Sequence, residues 1–217
     1  MADIFHEVDE EVRREQFKKL WDRYSIVLIA VAILIVAGIG AWRGYEWYIA
    51  KKATEAGAQF EAAITLAEQG KQAEAEAAFA KVAADAPYGY RTLARLRAAA
   101  AAAQVKPADA VKAYDAIAAD GSLGAIWQDL AAVRAGMLLV DTAPLAEMQK
   151  RLDPLSEPGR IYRHSARELL ALSAWKNNDA TAAKRYLDMI AADGETPPGT
   201  RQRVDVLSAL IAANGKS

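Results

Sequence analysis

"AEAAFAKVAADAP" (Ala75–Pro87) sets an alanine four residues before an aromatic and closes on a proline. The figure returns in "AVKAYDAIAADG" (Ala110–Gly121) and in "AAKRYLDMIAADG" (Ala182–Gly194). Ala75 and Ala110 are 35 residues apart; Ala110 and Ala182 are 72 apart, two steps of 36. Each copy reads as the second helix of a pair. A lone helical hairpin cannot bury both its faces, so hairpins recurring at this interval are expected to stack. The alanine lets the first helix approach closely, and the aromatic fills the gap to the next hairpin.

Working outward, the chain after residue 50 keeps this rhythm. Breaks fall at Gly70, "DAPYG", "VKPAD", "ADGSLG", "DTAP", "SEPG", "KNND" and "DGETPPG". The segments between them carry helical periodicity, as in Phe60, Ile64 and Ala67 or Leu169, Leu172 and Trp175. No stretch alternates with period two. Alanine, the best helix former, supplies much of the 53% apolar content. The expected fold is all-α: a tetratricopeptide-like α-solenoid of helix pairs at about 53–86, 88–120, 124–156 and 160–194, with a closing helix at about 199–213. The third pair, "APLAEMQKRLDPL", lacks the alanine–aromatic figure and carries Leu152 and Leu155 instead.

Ahead of the repeats stands "YSIVLIAVAILIVAGIGAW" (Tyr24–Trp42), 19 residues without a charge. At 1.5 Å per residue this makes roughly 28 Å of helix, close to a hydrocarbon core of about 30 Å. A cleaved signal has an apolar core of only about 7–15 residues after a short basic start. The leader here is long and acidic, so a permanent single span is expected. The division is 1–23 leader, 24–42 transmembrane helix and 43–217 repeat domain. Arg13, Arg14, Lys18, Lys19 and Arg23 precede the run, and Arg43, Lys51 and Lys52 follow it, which favours a cytoplasmic N-terminus and an extracytoplasmic repeat domain. Trp21 and Tyr24 at one end, and Trp42, Tyr45, Trp47 and Tyr48 at the other, suit the two interfaces. Gly40 and Gly44 form one GxxxG, a candidate face for a homodimer. From Trp42 to Gln69 no proline intervenes, and Tyr45, Tyr48, Lys52, Ala56, Phe60 and Ile64 recur at helical spacing. One helix is therefore expected to run from the span into the first repeat and hold the domain near the bilayer, with Gly57 its weakest point.

The net charge is −1, with no basic excess of the kind a nucleic-acid binder shows. There is no cysteine, which excludes disulfides and thiolate chemistry. Walker, dinucleotide and H-E-x-x-H motifs are missing, and no cofactor is expected. His6 and His164 stand far apart without ligand-spaced partners. Ser165 beside His164 points about 100° away on a helix, which makes no nucleophile pair. Glu74 and Glu76 read as a solvated face. An enzyme is not expected.

In Ala75, Phe79 and Pro87 the chain resembles the tetratricopeptide-like superfamily; Ala110 with Tyr114 and Ala182 with Tyr186 match it without the proline, which Ser122 and Gly194 replace. First-helix anchors are poorly kept, with Gln59 where a tryptophan is common. The leader "FHEVDEEVRREQFKKLWDRY", one span and a small alanine-rich repeat domain together resemble the ancillary SecYEG translocon subunit family of bacterial inner membranes. That resemblance implies a single-pass inner-membrane protein with a periplasmic domain, partnered by the SecYEG translocon and a membrane-anchored periplasmic chaperone of the prolyl-isomerase type. Two other functions stay open: a cell-envelope scaffold unrelated to the translocon, and a regulatory module facing the cytoplasm.

First helices of stacked pairs line the concave side, where such proteins bind partner segments. Arg91 and Arg95 share a face of one first helix, Arg134 lies on the next, and Arg160, Arg163 and Arg167 lie on the third. Tyr88, Tyr90, Trp127 and Tyr162 are near them in sequence. Arginine and aromatics are the usual interface anchors, so a groove for an acidic or amphipathic partner segment is expected on Arg91, Arg95, Trp127, Arg134, Tyr162, Arg163 and Arg167. The competing reading pairs the arginines with Asp115, Asp129 and Glu168 in ordinary salt bridges.

Overall fold

The computed structural model describes residues 3–214, except for the side chains of residues 3–13, 15, 16, 20, 88, 212 and 214. His6, Arg13 and Tyr88, singled out above, lie outside the described side chains. The described residues are all helical or connecting, with no strand among them. The chain divides into two compact units, Met1–Thr54 and Glu55–Ser217.

The first unit holds most of α1 (Asp3–Glu68). One segment of it, Trp21–Glu68, is long and apolar enough to cross a membrane. Its apolar side chains are bare on every side: Ile26 is 82% exposed, Leu34 72% and Val36 69%. In water such a helix would forfeit its whole hydrophobic driving force. Cations lie over aromatic rings near both ends of the run, with Arg23 5.9 Å from the Tyr24 centroid, Lys51 5.6 Å from Trp47 and Lys52 5.4 Å from Tyr48.

The second unit takes the end of α1 and then α2 (Gln72–Asp85), α3 (Tyr88–Ala103), α4 (Pro107–Ala118), α5 (Ala125–Leu139), α6 (Leu145–Ser156), α7 (Arg163–Lys176), α8 (Ala180–Ala191) and α9 (Pro198–Asn214). These are the four expected pairs and the closing helix, within a few residues. Turn chemistry explains the breaks. Gly70 takes φ +77° after α1, and Lys71 N–H donates to the Leu66 carbonyl at 3.0 Å, a glycine-dependent helix ending. Asn178 plays that part after α7 at φ 60°, and Asp179 then caps α8 by accepting from Ala182 N–H at 2.8 Å. Pro107 opens α4 at its first helical turn, where the missing N–H costs nothing.

Each second helix buries the same frame. It is Ala75, Phe79, Val82 in α2, Ala110, Tyr114, Ile117 in α4, Met148, Leu152, Leu155 in α6, and Ala183, Leu187, Ile190 in α8. One expectation is filled out and one is corrected here. The third pair keeps the frame, with Met148 where the others have alanine, because its first helix α5 recedes: Ala131, Ala132, Ala135 and Gly136 form its inner face. In α8 the buried alanine is Ala183, and Ala182 lies half-buried beside it. Tyr186 is buried one position off the frame and turns toward α6, where its hydroxyl donates to Asp153 at 2.8 Å and accepts from Gln149 at 3.2 Å. Around Phe60 the aromatics pack edge to face, at 5.2 Å from Phe79 and 5.9 Å from Tyr90.

Candidate functional site

The arginines of the expected groove part into two groups. Arg167 is only 4% exposed. Its Nε donates to the Ser156 carbonyl at 2.8 Å, and its Nη1 to the Met189 carbonyl at 3.2 Å and to Asp193 at 2.9 Å. It ties the ends of α6 and α8 to α7. Arg163 is nearly as enclosed and grips Asp193 at 2.7 and 3.3 Å, with Glu195 beyond it. Arg163's hydrogen bonds hold the Asp193 carboxyl well below the usual carboxylate range, against the opposing pull of burial. Both guanidinium groups are engaged in ties within the chain. His164, also buried in this cluster, meets the Thr196 hydroxyl at 3.2 Å. Burial pushes its pKa down, and the charges of Arg163 and Arg167 add to that.

Arg95 is a partial tie. It pairs with Asp120 at 2.6 Å, and Ser122 bonds the same carboxylate. Ser122 first, and then Arg95, bring the Asp120 pKa to about 2. Further cross-links follow this plan: Arg151 of α6 to Asp115 of α4, Arg160 to Asp129 at 2.5 Å, and Arg203 of α9 to Glu168 of α7 at 2.5 and 2.7 Å. Asp115, Asp129 and Glu168 are thus paired, as the competing reading expected, although Asp115 and Glu168 take Arg151 and Arg203, which sequence spacing did not suggest.

The remainder stays open. Arg91 is exposed and, among the described residues, reaches only the Ala86 carbonyl, at 3.3 Å. Arg134 is exposed on α5 and has no ion-pair partner among the described residues. Trp127 and Tyr162 are half-buried, Trp127 against the cluster around Tyr114 and Leu123, and Tyr162 against the larger core of α5 to α9. Sequence reasoning missed Arg97, exposed on α3, four residues after the 40% exposed Leu93. Arg97 borders a cavity of about 370 Å³ walled by Ile64, Ala67, Phe79, Ala101 and Gln104. It also missed the Tyr114 hydroxyl, whose pKa burial raises while the charges of Arg134 and Arg97 pull it back down. Arg91, Arg97 and Arg134 are thus three exposed cations of the repeat domain, one of them beside a cavity, and no acid–base or nucleophile pair stands with them among the described residues.

Stacked helix pairs with a repeating small-and-large seam define an α-solenoid, a class whose business is binding other proteins. The chain belongs to the tetratricopeptide repeat-like domain family, whose profile matches residues 18–169. The match begins in the leader, takes in the apolar run and ends in α7. Comparison with curated proteins and with solved structures finds no match.

Proposed function

We propose that the protein is a membrane-anchored interaction module that acts by reversible binding. The observation that carries this reading is the pairing, in one chain of this family, of an apolar helix bare on all faces with a repeat domain that keeps uncommitted arginines on its surface. The five bases before the span against three after it support a cytoplasmic N-terminus and repeats on the opposite side. By the resemblance of leader, span and repeats, we place it beside the SecYEG translocon of a bacterial inner membrane, with a periplasmic prolyl-isomerase-type chaperone as its second partner.

The test is in two parts. A phosphatase fused after Ser217 reports the side, and activity is expected only with repeats outside the cytoplasm. Photo-crosslinking from Arg91 and Arg134, each replaced by a photoreactive residue, identifies what touches the repeat domain in cells. Translocon or chaperone subunits are expected; recovery of division or outer-membrane assembly proteins alone defeats the translocon assignment and favours an envelope scaffold.

A further inference from the structure

The last helix, α9, is apolar on two sides. Thr200, Val204, Leu207 and Ile211 turn inward on one stripe, against the core of α5 to α8. Val206, Ala209, Leu210 and Ala213 follow the spacing i, i+3, i+4, i+7 on the far side of the helix. All four are exposed, Val206 by 58% and Leu210 by 47%. A helix that packs on one side ordinarily keeps its other side polar. Beside α9, an open groove of about 820 Å³ follows α8 from Ala180 to Ala192, long enough to seat about three turns of helix. Met189 and Ile211 give it an apolar wall, and Lys184, Arg185 and Asp188 stand along it. Among the described residues, nothing covers the groove or the outer stripe.

We propose that the groove between α8 and α9 receives α9 of a second copy of this chain, outer stripe inward, and that a two-fold axis repeats the contact. The groove calls for a helix with a narrow apolar stripe, and the stripe calls for such a groove. A two-fold interface requires one surface to carry both halves of every contact, and this end of the repeat domain does. Charge agrees. Lys184, Arg185 and Asp188 give the groove both signs, and the exposed Arg201 and Asp205 flank the stripe with both signs. A second copy can set each charge against its opposite, whereas a partner helix of one sign meets like charge on the groove. Lys184 and Asp188 pair with each other at 2.8 Å, so neither is stranded before docking. Area sets the strength. The 17 residues of α9 span about 25 Å, and a helix face is about 10 Å wide, so stripe and groove together bury about 500 Å² per copy, short of the roughly 800 Å² of a standard interface. Two copies anchored in one bilayer, as proposed above, offset that shortfall through their effective concentration. The dimer rests on that anchoring for its strength and is weak for the repeat domain alone.

The chain has no cysteine, so disulfide trapping reports only the positions introduced. Two differently tagged full-length forms are produced together in cells. One has Thr181→Cys or Ala192→Cys in the groove, and the other Ala209→Cys or Ala213→Cys on the stripe. The membranes are oxidised, one tag is isolated, and the other is probed. At least one groove–stripe pair is expected to give an adduct about tenfold above a control pair that replaces the stripe cysteine with Val105→Cys, on the exposed turn between α3 and α4, since docking adds to the shared bilayer's effective concentration. Adding V206Q/L210Q to the stripe form removes the adduct and leaves the melting temperature unchanged. No adduct from any pair, an adduct no stronger than the control, or one that survives V206Q/L210Q overturns the dimer. A groove cysteine trapped on a different protein alone gives the seat to that protein and overturns it as well. Each of these outcomes leaves the interaction function standing, and a failure of the anchoring is read separately, from the phosphatase fusion.

Discussion

Gly136 of α5 faces Leu152 of α6 so closely that a β-carbon on Gly136 would lie 3.0 Å from Leu152 Cδ1 and 3.3 Å from Cδ2. Inside a helix, glycine to alanine ordinarily gains about 1 kcal/mol. Here the gain is reversed, because Leu152 is fully buried and cannot retreat. Gly136→Ala is expected to destabilise by about 1–3 kcal/mol, the usual cost of overpacking a core. Leu152→Ala alone costs about 2–5 kcal/mol. The double variant should be clearly less damaged than the two losses added, since the methyl of one fills space left by the other. Chemical denaturation of the four proteins measures this; strict additivity would deny the contact.

Arg167 reaches three acceptors on three elements, the Ser156 and Met189 carbonyls and Asp193. Arg167→Met preserves the bulk and strands those acceptors. The loss should be about 3–5 kcal/mol, as for a buried pair deprived of one member. For a domain this size that lowers Tm by roughly 10 °C. Arg167→Lys recovers little, because a single ammonium cannot span the same acceptors. Arg134→Gln, on open surface, leaves Tm where it is. A melting curve that treats Arg167 and Arg134 alike would return Arg167 to the surface role expected from sequence.

The helices were legible because their ends are local chemistry: Gly70, Asn178, Pro107 and the breaks around them act within a few residues. The seam in α2 and α4 was legible because alanine and aromatic fall on one face. In α8 two adjacent alanines, Ala182 and Ala183, allow two frames, and the aromatic drew the reading to the wrong one; Tyr186 turns aside to reach Asp153, 33 residues away. In α6 the frame was hidden because Met148 needs the receding face of α5, a complement on another helix. The arginines were the least legible. Arg167 and Arg134 are alike in sequence context, and only partners 11 to 26 residues distant make one of them an internal tie.

His164 makes stability fall on mild acidification. Its pKa is lowered in the fold, first by burial and then by Arg163 and Arg167, with Asp193 and Glu195 opposing. As pH drops through the ordinary histidine range near 6.5, the unfolded chain takes up the proton before the folded one, so unfolding becomes easier. The contribution is complete above that range and declines below it. A second decline follows below about pH 4, where the unfolded chain protonates carboxyls that Asp193 and Asp120 keep ionised in the fold. His164→Asn, whose amide can still bond Thr196, should remove the first decline and keep the second. Tm of both proteins at pH 7.5 and 5.5 decides it; identical pH profiles would show that His164 carries no linkage.

Gly57, the weak point of α1, owes its place to Tyr90. A β-carbon there would sit 3.1 Å from the Tyr90 hydroxyl oxygen and 3.6 Å from the ring carbon that bears it. The first contact is crowded and the second is ordinary. Tyr90 cannot swing away freely, because its ring packs on Phe60 at 5.9 Å. Gly57→Ala alone should therefore change stability little, with the helix gain of about 1 kcal/mol offset by the displaced hydroxyl. In a Tyr90→Phe background the obstruction is gone, and the same substitution should stabilise by about that full amount. Denaturation of the four members of the cycle supplies the comparison. If Gly57→Ala gains the full amount with Tyr90 intact, the hydroxyl yields without cost and the glycine is a relic of something other than packing.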